Sequence, residues 1–171
     1  MRKVLIIDTS ILCVYLKVPS MDDCGLNGDK WNYSRVNEKI TKEINEKSLL
    51  VLPMATLIEA GNHIAQANGD RYKIASDLAG IIVKVADEEE PWAAFTSQSK
   101  LWDEESLKKL AASWPTLAVS RISIGDATIK DVAEYYSSAG YQVEILTGDI
   151  GLKSYEPISH ISTPRRKKNR N

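Results

Sequence analysis

The chain has 171 residues, of which 43% are hydrophobic and 26% are charged, with a formal net charge of −1. These values are typical of a single globular domain, and no apolar run approaches the roughly 20 residues needed to span a bilayer. The two cysteines, Cys13 and Cys24, imply no disulfide framework. The composition argues against a membrane channel and a disulfide-rich secreted module, and it favours a cytoplasmic protein with no membrane partner.

Charge is distributed unevenly along the chain. The last eight residues, 164–171, contain no acid and five basic residues: Arg165, Arg166, Lys167, Lys168 and Arg170. The other 17 of the 22 basic residues stand against 23 acidic ones, which gives residues 1–163 a net charge of −6. We expect residues 1–163 to form one domain. The basic tail at 164–171 is expected either to contact nucleic acid or to be a solvated, disordered end.

The apolar pattern predicts strands that alternate with helices. Continuous apolar runs indicate buried strands, and apolar residues three or four positions apart indicate helices. In chain order the pattern predicts a strand at 3–7, a helix at 9–16, a loop at 19–32, a helix at 33–47, a strand at 48–52, helices at 53–67, 72–86, 103–112 and 125–138, a strand at 141–146 and a last strand at 158–162. The tryptophan-rich region 92–116 is expected to elaborate a smaller core fold.

The fold class follows from the character of the predicted strands. They are apolar throughout, whereas a sheet with one solvated face alternates apolar and polar residues. Strands of this kind, separated by helices, favour a parallel sheet covered on both faces. We therefore expect an α/β domain of three layers, with a central, mainly parallel sheet flanked by helices.

Four carboxylates lie at the ends or starts of predicted elements. Asp8 and Asp149 each follow an apolar strand pattern, Glu59 lies in the helix at 53–67, and Asp126 opens the helix at 125–138. Open α/β folds place their chemistry at the carboxyl edge of the sheet. Two like charges ~4 Å apart repel by about 4 kcal/mol at an effective dielectric of 20. Converging acids therefore share protons or hold a hard cation such as Mg²⁺ or Mn²⁺.

The segments that carry these acids resemble the PIN-domain nucleases. They are Val-Leu-Ile-Ile-Asp-Thr-Ser at 4–10, Glu59 after the second predicted strand, Gly-Asp-Ala at 125–127 and Leu-Thr-Gly-Asp at 146–149. The resemblance covers most of the chain and implies a PIN-like fold and a ribonuclease that depends on Mg²⁺ or Mn²⁺. It also suggests the toxin of a toxin–antitoxin pair, or a related stress or defence effector. The partners implied are an RNA substrate, an antitoxin or other inhibitor protein, and a second copy of the chain.

The expected site has an inner and an outer set of residues. Asp8 is expected to be the central metal ligand and Asp126 a second direct ligand, while Glu59 and Asp149 complete the shell directly or through water. Cations placed in line with a phosphodiester activate the attacking water and stabilise the leaving oxygen, so these four acids are the expected catalytic residues. Three hydroxyl residues are expected to orient the carboxylates or the phosphate: Thr9, Ser10 and Thr147.

Each acid also has a simpler interpretation. Asp8 and Asp126 could each cap a helix, and Asp149 could be an ordinary turn residue. Glu59 could face solvent, although it lies among small and apolar residues. His63 is left outside the expected site because hard cations rarely require imidazole. The alternative function is a non-catalytic PIN-like module that binds RNA or protein and keeps a vestigial or regulatory metal site.

Overall fold

The structure, a computed structural model, describes residues 2–158. It is a mixed α/β fold with a small parallel sheet flanked by helices. Strands β1 to β5 are Lys3–Ile7, Asp23–Cys24, Trp31–Asn32, Leu49–Val51 and Gln142–Leu146. Helices α1 to α7 are Thr9–Tyr15, Tyr33–Asn45, Met54–Gln66, Arg71–Ala86, Glu104–Val119, Ile124–Ser138 and Ile150–Lys153, and a 3₁₀ helix is formed by Phe95–Trp102.

The main sheet has the strand order β4-β1-β5, and both pairings are parallel. Ile6 of β1 lies opposite Val51 of β4 and Ile145 of β5. The carboxyl end of β1 therefore lies between its two neighbours, and the residue that follows β1 is at the middle of this edge. The structure thus confirms the parallel sheet that the sequence predicted. The two strands that flank β1 come from distant parts of the chain.

Both faces of β1 are buried. Leu5 and Ile7 belong to the apolar core that packs with α1, α2, α3 and α4, whereas Val4 and Ile6 belong to a second core formed mainly with α6. A strand enclosed in this way needs apolar side chains at every position, which explains its continuous apolar run. The helices around the sheet thus hold its carboxyl edge in a fixed position.

Side chains cap several of the surrounding helices. Asn32, Asp70 and Asp103 each accept a hydrogen bond from the backbone N–H three residues later, at 3.0, 3.0 and 2.8 Å. Such caps satisfy N–H groups that have no partner within the helix. After α6 the chain passes through Gly140, whose φ of 89° is readily adopted by glycine. The predicted bounds of α2, α4 and α6 are confirmed to within two residues.

Two regions differ from the prediction. The predicted loop at 19–32 contains the antiparallel ribbon of β2 and β3. The helix predicted at 103–112 continues to Val119 with Pro115 inside it. Trp114 Nε1 donates to Ile122 O at 3.2 Å, a contact that fixes the end of α5 and that local propensity does not reveal. Apart from Ile158, the strand predicted at 158–162 lies outside the described residues, as does the tail at 164–171.

An ionic cluster lies away from the carboxyl edge. Glu43, which is 1% exposed, accepts hydrogen bonds from Lys3 Nζ at 2.5 Å, Lys39 Nζ at 2.7 Å and Ser48 Oγ at 2.6 Å. Both lysines also contact Glu144, at 2.6 and 2.9 Å. Burial alone would raise the pKa of Glu43, but these three donors outweigh it and lower the pKa to about 2. The fold thus neutralises its most buried glutamate.

None of the helices within residues 2–158 is both long enough and apolar enough to cross a bilayer.

Candidate functional site

The four predicted acids line one open cleft at the carboxyl edge of the sheet. Its volume is about 560 Å³, and its walls include Asp8, Glu59, Asp126 and Asp149. Two of the three predicted hydroxyl residues, Thr9 and Ser10, also line it. Parallel strand order accounts for this convergence, because the ends of β1 and β5 meet at the same edge and α3 and α6 cover it.

Asp8 lies at the base of this acidic cleft and is 6% exposed. Its Oδ1 accepts a hydrogen bond from Thr9 N at 2.6 Å, and its Oδ2 accepts from Ser10 Oγ at 2.7 Å and Thr147 Oγ1 at 2.8 Å. Burial raises the pKa of Asp8, these donors lower it, and the charge of Asp126 raises it; the net shift is upward. The carboxylate is therefore held in one orientation, in surroundings that favour its neutralisation.

Glu59 reaches the acidic cleft from α3. Its Oε2 accepts a hydrogen bond from Thr9 Oγ1 at 2.8 Å, so Thr9 contacts a second acid of the cleft. On the same helix, Thr56 Oγ1 donates to Ile7 O at 3.0 Å and anchors α3 to the end of β1. A Cβ added to Gly125 would lie 2.2 Å from Glu59 Oε1, so the start of α6 approaches this carboxylate closely.

Asp126 lies in the first turn of α6 and takes part in a capping box. Ser123 is the N-cap: its Oγ accepts from Asp126 N at 3.0 Å and donates to Asp126 Oδ2 at 2.8 Å. The interpretation of Asp126 as part of a helix cap is thus confirmed, although it occupies the third helical position and not the cap itself. The same side chain lines the acidic cleft, so the two roles coexist.

Asp149 follows β5 and caps the short helix α7. Its Oδ1 accepts from Gly151 N at 2.6 Å and from Leu152 N at 3.1 Å. Its own backbone N–H donates to Thr147 Oγ1 at 2.9 Å. Thr147 therefore connects Asp149 to Asp8, as the sequence predicted for a hydroxyl residue beside the acids.

In the part of the chain that the structure describes, the four acids of the acidic cleft have no Lys or Arg beside them. Within residues 2–158, no Lys or Arg lines it, and none lies within 4.0 Å of a carboxylate oxygen of its four acids. Glu43 and Glu144, in contrast, share Lys3 and Lys39. Within residues 2–158, lysines therefore neutralise Glu43 and Glu144, whereas no Lys or Arg neutralises the four acids of the cleft.

The carboxylate oxygens of the cleft suit a hard cation, but they are widely spaced. Carboxylate oxygens are the ligands that Mg²⁺ and Mn²⁺ prefer. In the part of the chain that the structure describes, however, no three Asp, Glu, His or Cys side chains are grouped closely enough to hold a metal ion. Glu59, Asp126 and Asp149 each accept hydrogen bonds from protein donors instead. The residues therefore fit such an ion in their chemistry, while the cleft is wider than a closed coordination shell.

His63 lines the same cleft, although the sequence analysis left it out of the site. It is exposed and lies four residues after Glu59 on α3, so both side chains lie on one face of the helix. That spacing was the signal available in the sequence. The imidazole of His63 therefore lies on the wall of the acidic cleft.

The chain matches no protein-family model, no curated protein and no solved structure. The geometry and chemistry of the acidic cleft are therefore the basis on which a function is assigned.

Proposed function

We propose that the chain is a ribonuclease with a PIN-like fold, dependent on Mg²⁺ or Mn²⁺, in which Asp8, Glu59, Asp126 and Asp149 form the active site. One observation carries this proposal. Four carboxylates from four different elements line a single cleft, and no Lys or Arg of residues 2–158 neutralises them. A cleft of this composition repels an anionic substrate unless a cation is bound.

Electrostatic repulsion explains why binding of the substrate would require the cation. Four carboxylates give the cleft negative charge, and a phosphodiester adds a further negative charge, so the cleft and the substrate repel each other. A bound Mg²⁺ or Mn²⁺ would remove this repulsion, activate the attacking water and stabilise the leaving oxygen. Asp8 and Asp126 would hold it, with Glu59 and Asp149 completing the shell.

The hydrogen bonds around Asp8 give that residue its central role. Thr9 N, Ser10 Oγ and Thr147 Oγ1 fix both of its oxygens before any ligand arrives. A carboxylate that is already oriented loses little conformational freedom when it binds a cation. Thr9 Oγ1 also donates a hydrogen bond to Glu59, so Thr9 orients two of the acids. These contacts are those expected of groups that orient metal ligands.

The PIN-like fold and the preference for RNA are supported by the resemblance of segments 4–10, 125–127 and 146–149, and by a sheet in which β1 is central and parallel to both neighbours. The same resemblance suggests the role of a toxin or defence effector, with an inhibitor protein and a second copy of the chain as partners. The basic tail at 164–171 would add affinity for the RNA backbone.

A non-catalytic binding module is the second candidate. Two observations favour it: the carboxylates are widely spaced, and all four acids accept hydrogen bonds from protein donors. In such a module a bound cation would stabilise the fold, and the module would not cleave RNA.

Cleavage of a mixed pool of RNAs tests the proposal, with Mg²⁺, Mn²⁺ or EDTA present and with wild type beside Asp8→Asn. Wild type is expected to cut only with a metal ion, and Asp8→Asn to cut at least about 100-fold more slowly because it removes the central carboxylate. Asp103→Asn is the matched control, since Asp103 also caps a helix but lies outside the cleft. Equal cutting by Asp8→Asn would refute the assignment. Thermal stabilisation by the metal without any cutting would favour the binding module.

A further inference from the structure

A second, smaller cavity adjoins the acidic cleft. Its volume is about 160 Å³, and it shares four wall residues with the cleft: Leu26, Gly148, Asp149 and Ile150. The two spaces are therefore neighbours across the turn that carries Asp149. A nucleotide bound in one space would therefore lie next to the other.

The indole of Trp31 forms one wall of this cavity. Arg35 holds the ring, with its guanidinium 3.8 Å from the ring centroid. Arg35 is itself fixed by Asp29 Oδ1 at 2.6 Å and Lys30 O at 2.9 Å. The orientation of the indole is thus set by the protein. A rigid aromatic wall binds a planar ligand with little loss of conformational freedom.

The ribbon of β2 and β3 is packed tightly against the turn after β5. A Cβ added to Gly148 would lie 2.7 Å from Gly25 N, and a Cβ added to Gly25 would lie 3.7 Å from Gly148 Cα. The backbone of Gly25 leaves no room for a Cβ at position 148, and Gly25 itself has a φ of 96°, which glycine adopts readily. The ribbon therefore places Trp31 at a fixed position relative to Asp149, the acid that both spaces share.

The size of the cavity limits what it can hold. A protein cavity of about 150 Å³ accommodates a benzene ring, so 160 Å³ suits one planar ring system. A base that enters it must first leave its stack and its pairing partner, because a base pair is far larger. Proteins that recognise RNA by unstacked bases act on single strands, loops and ends.

We propose that this cavity, the base pocket, binds one unpaired base next to the phosphate that lies in the acidic cleft. The base pocket takes a base that has left its stack, and Trp31 is the residue that positions this base. This inference rests on the proposed ribonuclease function and deepens it. Because every base can stack on an aromatic ring, the base pocket fixes the position of the strand and accepts different bases.

Abasic substitution tests the proposal with the wild-type chain. A single-stranded RNA that is cut at one position is synthesised again with one base removed at each of the flanking positions in turn. Loss of the base that enters the pocket is expected to lower kcat/KM about tenfold, in line with the energy of one base stacked on an aromatic side chain. Removal of bases elsewhere is expected to change it by less than about twofold.

Variants of Trp31 then test whether the loss of kcat/KM on the sensitive abasic RNA arises in the base pocket. In Trp31→Leu, the sensitive abasic RNA and the intact RNA are expected to be cut at similar rates, whereas Trp31→Phe keeps most of the difference. Trp102→Leu is the control, because Trp102 is also partly exposed but lies outside both spaces. Should Trp31→Leu fail to fold, Leu26→Ala serves, since Leu26 is 58% exposed and lines the pocket.

The outcomes separate this inference from the function on which it rests. Metal-dependent cutting that no abasic position affects, or that proceeds equally on duplex and single strand, overturns the base pocket and leaves the ribonuclease in place. Absence of cutting on every RNA, with the protein folded, overturns both.

Discussion

Thr147 Oγ1 donates a hydrogen bond of 2.8 Å to Asp8 Oδ2, although 139 residues separate the two in the chain. The same hydroxyl accepts a hydrogen bond of 2.9 Å from Asp149 N. It thus joins the residues that follow β1 and β5, the two strands whose ends form the base of the acidic cleft. Thr147 is 7% exposed, so water cannot readily replace either contact.

Replacement of Thr147 by Val is expected to lower RNA cleavage by about tenfold or more and to raise the Mg²⁺ concentration needed for half-maximal rate. The physical reason is that Val neither donates to Asp8 nor accepts from Asp149, and groups that orient metal ligands contribute on this scale. The measurement is kcat/KM across a Mg²⁺ titration. Thr147→Ser keeps the hydroxyl and is expected to remain within about threefold of wild type; a Ser variant as weak as Val would count against the hydroxyl as the cause.

Asp8→Asn is expected to raise the Tm at pH 7 in EDTA. Because burial raises the pKa of Asp8, the folded chain binds this proton more tightly than the unfolded chain does. The stability due to this group is fully present below its ordinary pKa of 3.8 and is lost as pH rises through the raised value. Asn cannot ionise, so the variant avoids that loss of stability. Its Tm should be a few degrees higher than that of wild type, since each kcal/mol of stability shifts Tm by about 2–4 °C for a domain of this size.

The control for that measurement is its pH dependence. The difference in Tm between wild type and Asp8→Asn should shrink as pH falls below 3.8. Added Mg²⁺ should also narrow it, because the ion neutralises the carboxylate in wild type alone. A variant that is less stable than wild type at pH 7 would contradict the expectation.

Glu43→Gln is expected to have the opposite effect on stability. The pKa of Glu43 is lowered to about 2, so its contribution is fully present above its ordinary pKa of 4.5 and is lost as pH falls through about 2. At pH 7 the variant leaves Lys3 and Lys39 without this partner and should lose about 2–3 kcal/mol, measured by urea unfolding. Glu46→Gln, which removes an exposed pair with Lys42 at 3.8 Å, should lose less than about 0.5 kcal/mol.

Gly125→Ala is expected to impair cleavage while the fold is retained. The new Cβ would lie 2.2 Å from Glu59 Oε1, so the carboxylate must leave its contact with Thr9. Cleavage should fall about tenfold, as for other losses of ligand orientation. Tm should change little, because Ala favours a helix over Gly by up to about 1 kcal/mol.

Gly80→Ala is the matched control for Gly125→Ala. It also adds a methyl group within a helix, and nothing lies within 4 Å of its added Cβ. Its cleavage should equal that of wild type, with a slightly higher Tm. Normal cleavage by Gly125→Ala would mean that the position of Glu59 is unimportant.

Features fixed by near neighbours in the chain were predictable. The apolar run of β1 indicates a strand buried on both faces, and Asp70 and Asp103 cap the helices that follow them because a cap involves only the next three residues. Gly140 ends α6 for an equally local reason, its positive φ. Asp8 and Asp149 stood out because each follows such a strand.

Features that depend on distant partners were not predictable. The continuation of α5 through Pro115 accompanies a contact between Trp114 and Ile122, which lies beyond the helix. The ionic cluster of Glu43 includes one local pair, with Lys39 four residues earlier on α2. Its other contacts, Lys3 with Glu43 and Lys39 with Glu144, join residues 40 or more positions apart, and no local pattern marks them. The spacing of His63 from Glu59 indicated a shared helix face, but only the packed fold shows that this face lines the acidic cleft.

The sequence by itself therefore determined the elements, their caps and the acids at their ends, because hydrogen bonding and apolar periodicity act over a few residues. The tertiary structure decided which of those acids line one cleft, how widely they are spaced and which carboxylates form ion pairs with a lysine. Those outcomes depend on the strand order β4-β1-β5 and on contacts such as Thr147 with Asp8 and Thr9 with Glu59. Electrostatic and hydrogen-bond energies depend on distance in space, and only the packed fold sets that distance.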